Sequence, residues 1–475
     1  MNFEAIIGLE LHVEMKTKSK MFSSSPVSFG NKPNTNVAPL DMAFPGAMPV
    51  VNKQAVINAI RVSNALHMTI DNELWFERKN YFYSDLPSGY QITQEFRPIG
   101  EDGYLEIETS QDIKRINIER LHLEEDTCKQ LHSSDSTFLN YNRAGVPLLE
   151  IVSSPEITNG EEAKKYAEKI RSIVSFLNVS NGKMEEGSLR CDVNISLRPI
   201  GSKMLGTKVE IKNLNSFNNI ERALEFEIKR QQSVLLSGGV IKKETRRYDE
   251  TSRKTVVMRI KTDSIDYKFF TEPNITPIRL DEEFIKEAIN TSPELAEAKY
   301  ERYQKLGLND YDANLLINNK EISEYFDKMI AGGANVKLSA NWIIVDVQAV
   351  LNKNNIDITK FPISPENMGQ LIKLIDRGEI SNKQAREIFT KMLKNNAKPE
   401  DLMKEMDASL LNDGGELLKI IQQVIKDNPK SVEDYQKGKD KAVGFLMGQV
   451  MKITQGKANP ALTNKLVISQ LKGES

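Results

Sequence analysis

Residues 5–15 read AIIGLELHVEM, and this stretch decides how the first part of the chain folds. From Leu9 onward apolar and titratable side chains alternate, and the titratable ones are Glu10, His12 and Glu14. Because successive side chains of a β-strand point to opposite faces, the pattern predicts a strand with one apolar and one titratable face. Solvent-facing strand positions rarely carry such a row, so we interpret the polar face as part of a site.

Two later segments show the same division. The run 190–198 (RCDVNISLR) alternates in the same way and places Arg190 and Asp192 on its polar face. The run 146–152 (VPLLEIV) is apolar except for Glu150. A carboxylate inside an apolar run is costly unless it is paired or bound to a cation. Glu150 is therefore expected to have a partner.

A fourth run, residues 116–126, ends in a cluster of titratable side chains. If the four predicted strands share one sheet, the titratable residues converge on one face; the predicted set is Glu10, His12, Glu124, Glu125, Glu150, Glu186 and Asp192. Oxygen ligands with at most one imidazole suit Mg²⁺ or Mn²⁺, not zinc. Carboxylate-bound Mg²⁺ commonly holds phosphates, so the pattern indicates nucleotide chemistry. Cations that could neutralise phosphoryl oxygens are Lys79, Arg143, Arg190, Lys208 and Lys212.

The run 79–94 (KNYFYSDLPSGYQITQ) gathers aromatic rings around a Pro-Ser-Gly turn, next to Lys79. Such rings, Tyr81 among them, can stack on an adenine or a terminal RNA base. Packing of the same rings in the core explains the run equally well. The chain has no dinucleotide fingerprint and no serine- or zinc-hydrolase motif, which argues against amide-hydrolysing machinery of its own.

Composition is that of an ordinary globular protein with several domains. The 475 residues are 39% hydrophobic and 27% charged, which excludes disordered and collagen-like classes, and no apolar run is long enough for a membrane span. Only two cysteines are present, so we expect a cytoplasmic protein without a disulfide framework. The net charge of -2 means that any RNA contact must be local.

The first 280 residues or so contain short strand-like runs and two amphipathic helices, and the remainder is almost wholly helical. The predicted fold class is therefore α+β, followed by an all-α region. The first helix is predicted to begin at Thr158, with Glu161 completing a capping box, and the second to cover residues 218–236. A stretch with two prolines, residues 271–277, ends the α+β region.

The tail is a local basic region. Residues 430–475 carry eight lysines against four carboxylates, a net charge of +4 in a nearly neutral chain. On charge alone, a solvated helix surface and a contact with RNA explain this region equally well.

Six segments occur in order between residues 6 and 278. They are IGLELHVEMKTKSKMFSSSP, KNYFYSDLPSGYQITQ, NRAGVPLLEIVSSPEI, GSLRCDVNISLRP, KVEIKNLNSFNNIERALEFEI and DYKFFTEPNITPI. Together they resemble the B-subunit family of aspartyl/glutamyl-tRNA amidotransferases. The helical remainder and the basic tail match that family's layout, so the resemblance covers essentially the whole chain.

The resemblance implies an ATP-dependent, glutamine-hydrolysing amidotransferase. In that family the side-chain carboxylate of Glu-tRNA(Gln) or Asp-tRNA(Asn) is phosphorylated, and ammonia then displaces the phosphate. Ammonia comes from the glutaminase partner, called the A subunit, and the small C subunit joins the two. The implied domains are an antiparallel-sheet, kinase-like cradle over 1–293, a helical domain over 294–405, and a helical tail over 406–475 that contacts the tRNA.

The resemblance also implies functional residues. A metal-binding set matches at His12, Glu125 and Glu150, and residues around a second metal match at Glu10 and Asp192. Additional catalytic candidates are Lys79, Glu124, Glu186 and Arg190, and the candidates for ATP binding are Lys79, Tyr81 and Arg190. The implied cofactors are ATP and Mg²⁺, with Mn²⁺ as the alternative.

The chain departs from many relatives at a cysteine pattern. Ser23–Ser25 and Ala38–Asp41 stand where those relatives have C-x-C and C-x-x-C. One carboxylate does not replace four thiolates, so no zinc is expected. At Ser88 a lysine is usual, and its absence removes a positive charge near the expected nucleotide.

Two other functions are compatible with the residues alone. A stand-alone small-molecule kinase or ligase would use the same acidic site and turn over ATP with free glutamate. A non-catalytic RNA-binding scaffold would keep the activity of its complex after Glu125→Ala. Neither explains the ordered segments together with the basic tail.

Overall fold

The computed structural model describes residues 2–260, 266–406, 414–436, 441–454, 458 and 460–472. The chain divides into two compact units, Met1–Ala296 and Glu297–Ser475. The first unit combines strands and helices and the second is helical, as the predicted α+β class followed by an all-α region requires. Within the described ranges, no helix has the length and apolar character that a membrane crossing needs.

The first unit contains all sixteen strands of the described residues. In chain order they are β1 (Phe3–Glu14), β2 (Thr69–Ile70), β3 (Glu73–Leu74), β4 (Glu77–Asn80), β5 (Tyr90–Thr93), β6 (Gly100–Glu108), β7 (Ile113–Glu125), β8 (Lys129–His132), β9 (Thr137–Asn140), β10 (Pro147–Ser153), β11 (Leu189–Pro199), β12 (Val209–Lys212), β13 (Glu244–Asp249), β14 (Lys254–Ile260), β15 (Phe270–Thr271) and β16 (Ile278–Arg279). Its helices are α1 (Lys53–Ala65), α2 (Gly160–Phe176), α3 (Phe217–Leu236) and α4 (Glu282–Asn290).

One large sheet organises this unit. Its nine strands lie in the order β14-β13-β12-β11-β1-β10-β7-β6-β2, and smaller sheets pair β15-β4-β5, β16-β3 and β8-β9. The large sheet is antiparallel except where β12 meets β13. Parallel neighbours need a crossover connection, and α3 supplies it between these two strands.

The alternation predicted for β1 puts it at the centre of the core. Leu9, Leu11 and Val13 are fully buried in one cluster with apolar residues of α1, α2 and α3. Burying each such side chain contributes about 2 kcal/mol, which holds the helices on this face of the sheet. The alternate residues of β1 therefore point to the opposite face.

The start of α2 differs from the predicted capping box by one residue. Asn159 is the N-cap, and its side chain accepts a hydrogen bond from the N–H of Glu162. Glu162, not Glu161, accepts hydrogen bonds from the N–H and hydroxyl of Thr158. The ion pair between Lys114 of β7 and Glu162 explains the one-residue shift of the cap, because it holds the Glu162 carboxylate beside the sheet. Helix α3 agrees with the predicted range to within one residue.

The second unit contains twelve helices within its described ranges. They are α5 (Ala296–Lys305), α6 (Asp310–Ile317), α7 (Lys320–Ala331), α8 (Val336–Trp342), α9 (Gln348–Asn354), α10 (Pro365–Asp376), α11 (Asn382–Asn395), α12 (Pro399–Glu405), α13 (Gly414–Asp427), α14 (Pro429–Gln436), α15 (Lys441–Ile453) and α16 (Pro460–Lys472). A π-helical turn, Ile343–Val347, joins α8 to α9. The unit has two separate hydrophobic cores, one spanning Tyr303 to Leu402 and the other Leu417 to Val467.

A buried ion pair anchors the long connection between β1 and α1. The side chain of Lys20 is fully buried and donates to Asp41 Oδ2 at 2.9 Å and to the Tyr141 carbonyl at 3.2 Å. Asp41 also accepts from the Ser23 hydroxyl and the Ala38 N–H, both at 2.8 Å. Burial lowers the pKa of the Lys20 ammonium, and Asp41 opposes that shift. The segments 23–25 and 38–41 are thus joined by a charged hydrogen-bond network.

Replacing Lys20 by Met would leave Asp41 buried without its cation, so we expect the free energy of unfolding of the first unit to fall by about 3 kcal/mol. Trp75 fluorescence during chemical denaturation, in a Trp342→Phe background, reports on this unit alone. The matched control is Lys286→Met, which removes an exposed ion pair with Glu282 and should change the free energy of unfolding far less. Equal costs for the two variants would contradict the prediction.

Candidate functional site

Four neighbouring strands each contribute one titratable side chain to a single row. His12 of β1 lies directly opposite Glu150 of β10 and Arg190 of β11. Glu150 in turn lies directly opposite His122 of β7. Directly opposed residues of paired strands project on the same face, within contact of one another. The row therefore runs across the sheet on the face opposite the helices.

His12, Glu124 and Glu150 form a compact group at this row. Their candidate ligand atoms all lie within 4.8 Å of one another. His12 Nε2 is 3.4 Å from Glu150 Oε2 and 3.7 Å from Glu124 Oε1. One imidazole and two carboxylates at this spacing can share a divalent cation. Glu150 thus has the partners that its apolar surroundings require.

The charges of this group shift one another's pKa. Burial opposes protonation of His122, but Glu150 and Glu124 outweigh it and raise the pKa of His122 to about 9. Burial also opposes ionisation of Glu150, yet His122 and His12 hold the pKa of that carboxyl well below its usual range. The pKa of His12 is raised, because Glu150 and Glu124 outweigh its burial. Glu150 thus stays ionised in a largely buried place.

Glu125 is not part of this group, although the family resemblance implies it as a metal ligand. Glu124 and Glu125 are neighbours in β7, so their side chains point to opposite faces. Glu125 Oε1 accepts a hydrogen bond from the Ile92 N–H at 3.3 Å and lines a small cavity with Asp41. Burial raises the pKa of the Glu125 carboxyl to about 8. Strand alternation thus assigns Glu124 to the group and Glu125 to the cavity.

A second set of charges adjoins the row at Arg190. Its guanidinium donates to Asp126 Oδ2 at 2.6 Å, and Arg143 lies 3.5 Å from the same oxygen. Burial opposes ionisation of Asp126, but the two arginines outweigh it and lower its pKa. Burial and the neighbouring Asp126 raise the pKa of Glu14 to about 8. Glu14 therefore keeps a proton near neutral pH while Asp126 stays ionised.

Glu10 and Asp192 lie further along the same face. They are directly opposite each other in β1 and β11. Asn194 donates to Glu10 Oε1 at 2.8 Å, and Lys212 forms ion pairs with Asp192 and with Glu210. Glu10 and Asp192 are thus neighbours on this face, and Lys212 is the cation that compensates Asp192.

The remaining predicted residues are divided between two places. Lys79 lies in β4 with its ammonium 5.0 Å from the ring centre of Tyr267, against which Tyr81 packs edge to face. Burial raises the pKa of Tyr81, and the charges of Asp85 and Glu124 add to the effect. Glu186 does not join the group. It is exposed in the loop before β11 and pairs with Lys183 at 2.8 Å.

The predicted set of site residues left out three residues of this face, Glu14, His122 and Asp126, although the alternation in residues 5–15 already put Glu14 on the polar face. A signal for His122 was present, because it is two positions from Glu124 in a strand and must share its face. The contact between Asp126 and Arg190 had no such signal, since it joins the end of β7 to a strand three places away in the sheet.

The lowered pKa of Asp126 has a consequence for stability. An acid whose pKa is lowered by folding contributes stability above its unfolded pKa, and that contribution is lost as the pH falls. Arg190→Gln removes the main partner, so the melting temperature of the variant should lie below that of wild type at about pH 7 and converge with it only below the ordinary aspartate pKa of 3.8, where Asp126 becomes protonated in wild type.

Thermal unfolding followed by Trp75 fluorescence in the Trp342→Phe background measures this difference. The control is Arg198→Gln in the same strand, whose guanidinium pairs with Glu4 at 2.7 Å near the surface. Its difference from wild type should change little with pH. A pH-independent difference for Arg190→Gln would contradict the assignment.

Comparisons with known proteins agree with the family that the six sequence segments indicate. Residues 5–286 match the family model described as the GatB/GatE catalytic domain, and residues 324–471 match the GatB domain. The chain is 50% identical over 473 residues to the B subunit of the aspartyl/glutamyl-tRNA(Asn/Gln) amidotransferase of Shouchella clausii (strain KSM-K16). Proteins of the same name from Geobacillus thermodenitrificans (strain NG80-2) and Bacillus cereus (strain AH187) are 49% and 47% identical. Each alignment covers 99% of both chains. The chain therefore belongs to the B-subunit family of aspartyl/glutamyl-tRNA(Asn/Gln) amidotransferases.

Proposed function

We propose that this chain activates the side-chain carboxylate of Glu-tRNA(Gln), Asp-tRNA(Asn) or both with ATP and converts it to the amide. The relatives that match over their full length are named as the B subunit of an amidotransferase acting on these tRNAs. The observation that carries the proposal is the compact group of His12, Glu124 and Glu150 on the face of the sheet opposite the helices. Such a group is suited to phosphoryl transfer and has no use in RNA binding alone.

The residues of the group fit a divalent cation. One imidazole and two carboxylates within 4.8 Å suit Mg²⁺ or Mn²⁺. Glu10 and Asp192 lie on the same face and are the proposed residues near a second cation. Bound cations of this class would neutralise the oxygens of a transferring phosphoryl group. No zinc is proposed.

The reaction has two steps with simple chemistry. A carboxylate oxygen of the aminoacyl group attacks the γ-phosphorus of ATP, the bond to the β-phosphate oxygen breaks, and ADP leaves. Ammonia then attacks the acyl carbon, inorganic phosphate leaves with the bonding electrons, and the amide remains after loss of a proton. The first step is needed because a carboxylate oxygen is a poor leaving group until it is phosphorylated.

The protein's own residues have distinct parts in this scheme. Arg190 is held by Asp126 at the end of the row and presents a fixed positive charge. Lys79 supplies a second cation beside the aromatic pair of Tyr81 and Tyr267, which we propose as the nucleotide-stacking surface. The raised pKa of Glu14 favours its neutral form, which limits the negative charge beside Asp126. Glu186 has no proposed contact with the reacting atoms, because it is exposed and paired with Lys183.

The proposed complex has further components. Membership of a B-subunit family implies partner subunits, and we propose two: a glutaminase that supplies ammonia, the A subunit, and the small C subunit. We propose a kinase-like cradle over 1–293, a helical domain over 294–405 and a tail over 406–475. The division of the chain after Ala296 supports the first boundary, and the two separate cores of the second unit support the other.

The tail is proposed to contact the tRNA. Of the eight lysines in residues 430–475, those at 437, 439 and 457 lie outside the described residues. The others are exposed on helices α14, α15 and α16: Lys430, Lys441, Lys452, Lys465 and Lys472. Exposed cations that neutralise phosphates bind RNA in a salt-dependent way.

Glu150→Gln removes a carboxylate from the compact group and should lower amidation by on the order of 100-fold or more. The measurement uses the complex with its partner subunits and Glu-tRNA(Gln), with ammonium chloride as the nitrogen source, so that glutamine hydrolysis is not needed. Release of ADP is followed in parallel with charged and uncharged tRNA. Glu106→Gln, at an exposed ion pair of β6, is the control and should retain full activity.

Two outcomes would contradict the proposed function. If ADP release does not depend on the aminoacyl group, this chain does not activate it. If Glu150→Gln amidates as fast as wild type, the compact group is not the reaction centre and a scaffold role replaces the proposal.

Removing three tail cations should weaken tRNA binding and reduce its dependence on salt. The variant replaces Lys441, Lys452 and Lys465 by Ala. The slope of log K against log salt should fall by about 1 for each lysine that contacts a phosphate. The control replaces three exposed lysines of the preceding helices by Ala: Lys353, Lys394 and Lys404. Equal slopes for the two triple variants would contradict a tail contact.

A further inference from the structure

His122 is a buried histidine beside the compact group, and neither step of the proposed reaction involves it directly. Its Nε2 lies 3.1 Å from Glu150 Oε2 and 3.7 Å from Glu124 Oε2. Its side chain is 4% exposed. Its other ring nitrogen, Nδ1, is buried and has no hydrogen-bond partner among the residues that the structure describes. The ring is therefore oriented by its contacts with the two carboxylates.

The register places Glu150 between two imidazoles. His12 approaches Glu150 Oε2 from β1 at 3.4 Å, and His122 approaches the same oxygen from β7 at 3.1 Å. The set of candidate ligand atoms within 4.8 Å of one another is His12, Glu124 and Glu150, without His122. His12 thus belongs to this set, whereas His122 contacts the two carboxylates without belonging to it.

A carboxylate that binds a metal ion needs a hydrogen-bond donor to fix its rotation. We propose that His122 is the positioning residue of the group: its Nε2–H donates to Glu150 Oε2 and holds that carboxylate facing the cation position shared with His12 and Glu124. This donor exists in both the protonated ring and the neutral Nε2–H tautomer. The proposal rests on the cation site of the proposed function.

Two variants of similar size distinguish the role of the Nε2–H donor of His122 from the role of the ring's volume. The side-chain amide of His122→Gln places its N–H₂ near the position of Nε2, and that of His122→Asn places it near Nδ1. Both are neutral, polar and of similar size. If His122 acts through its Nε2–H, the Gln variant should retain the function and the Asn variant should lose it. A purely packing role would affect both alike.

The readout is Mn²⁺ affinity, measured by electron paramagnetic resonance titration of the complex with its partner subunits. His122→Asn should weaken Mn²⁺ binding by about 10- to 100-fold, whereas His122→Gln should stay within about threefold of wild type. His132→Gln, in the exposed β8–β9 hairpin, is the control and should not change affinity. Asn and Gln variants with equal affinities would overturn the proposal.

A spectroscopic measurement distinguishes positioning from ligation. Electron spin echo modulation counts the nitrogen atoms bound directly to Mn²⁺. The expected result is one imidazole nitrogen in wild type and in His122→Gln, and none in His12→Gln. Loss of that nitrogen signal in His122→Gln would show that His122 is itself a ligand and would overturn the positioning role.

The same data separate this inference from the proposed function. If wild type does not bind Mn²⁺, both the cation site and the role of His122 fail. If Mn²⁺ binds with the predicted dependence on His122, but ADP release ignores the aminoacyl group, the proposed reaction fails while the positioning role stands.

Discussion

Glu150 lies within an apolar strand, and the arrangement of the site follows from the need to compensate its charge. Burial of a carboxylate disfavours its ionised form, so an ionised Glu150 requires positive groups or a cation at close range. The two strands on either side supply imidazoles at 3.4 and 3.1 Å. The low pKa that these neighbours give Glu150 keeps it available as an anionic ligand at neutral pH.

The sheet can hold such a group because its two faces have different functions. One face carries leucines, isoleucines and valines that pack against three helices, and this packing fixes the register of the strands. The other face carries the titratable row. A shift of one residue in β1 would expose Leu11 and bury His12 among the helices, which the hydrophobic face does not permit. Packing on one side thus determines the geometry of the chemistry on the other.

Charge near the row is balanced locally. Asp126 is paired with Arg190 and Arg143, and Asp192 is paired with Lys212, while Glu14 is protonated near neutral pH. This balance lets one face carry many carboxylates without a large net charge. Glu125, on the other side of β7, belongs to a separate environment that includes the buried Lys20–Asp41 pair.

The sequence by itself determined the strand pattern, the two faces of β1 and β11, the unusual position of Glu150, the helical second part and the family. These follow from local periodicity and from ordered motifs, which need no knowledge of distant contacts. Only the tertiary structure decided that Glu124 and not Glu125 joins His12, that His122 lies beside Glu150, and that Asp126 holds Arg190. The physical reason is register: strand pairing aligns residues more than a hundred positions apart, and alternation then sends neighbouring side chains to opposite faces.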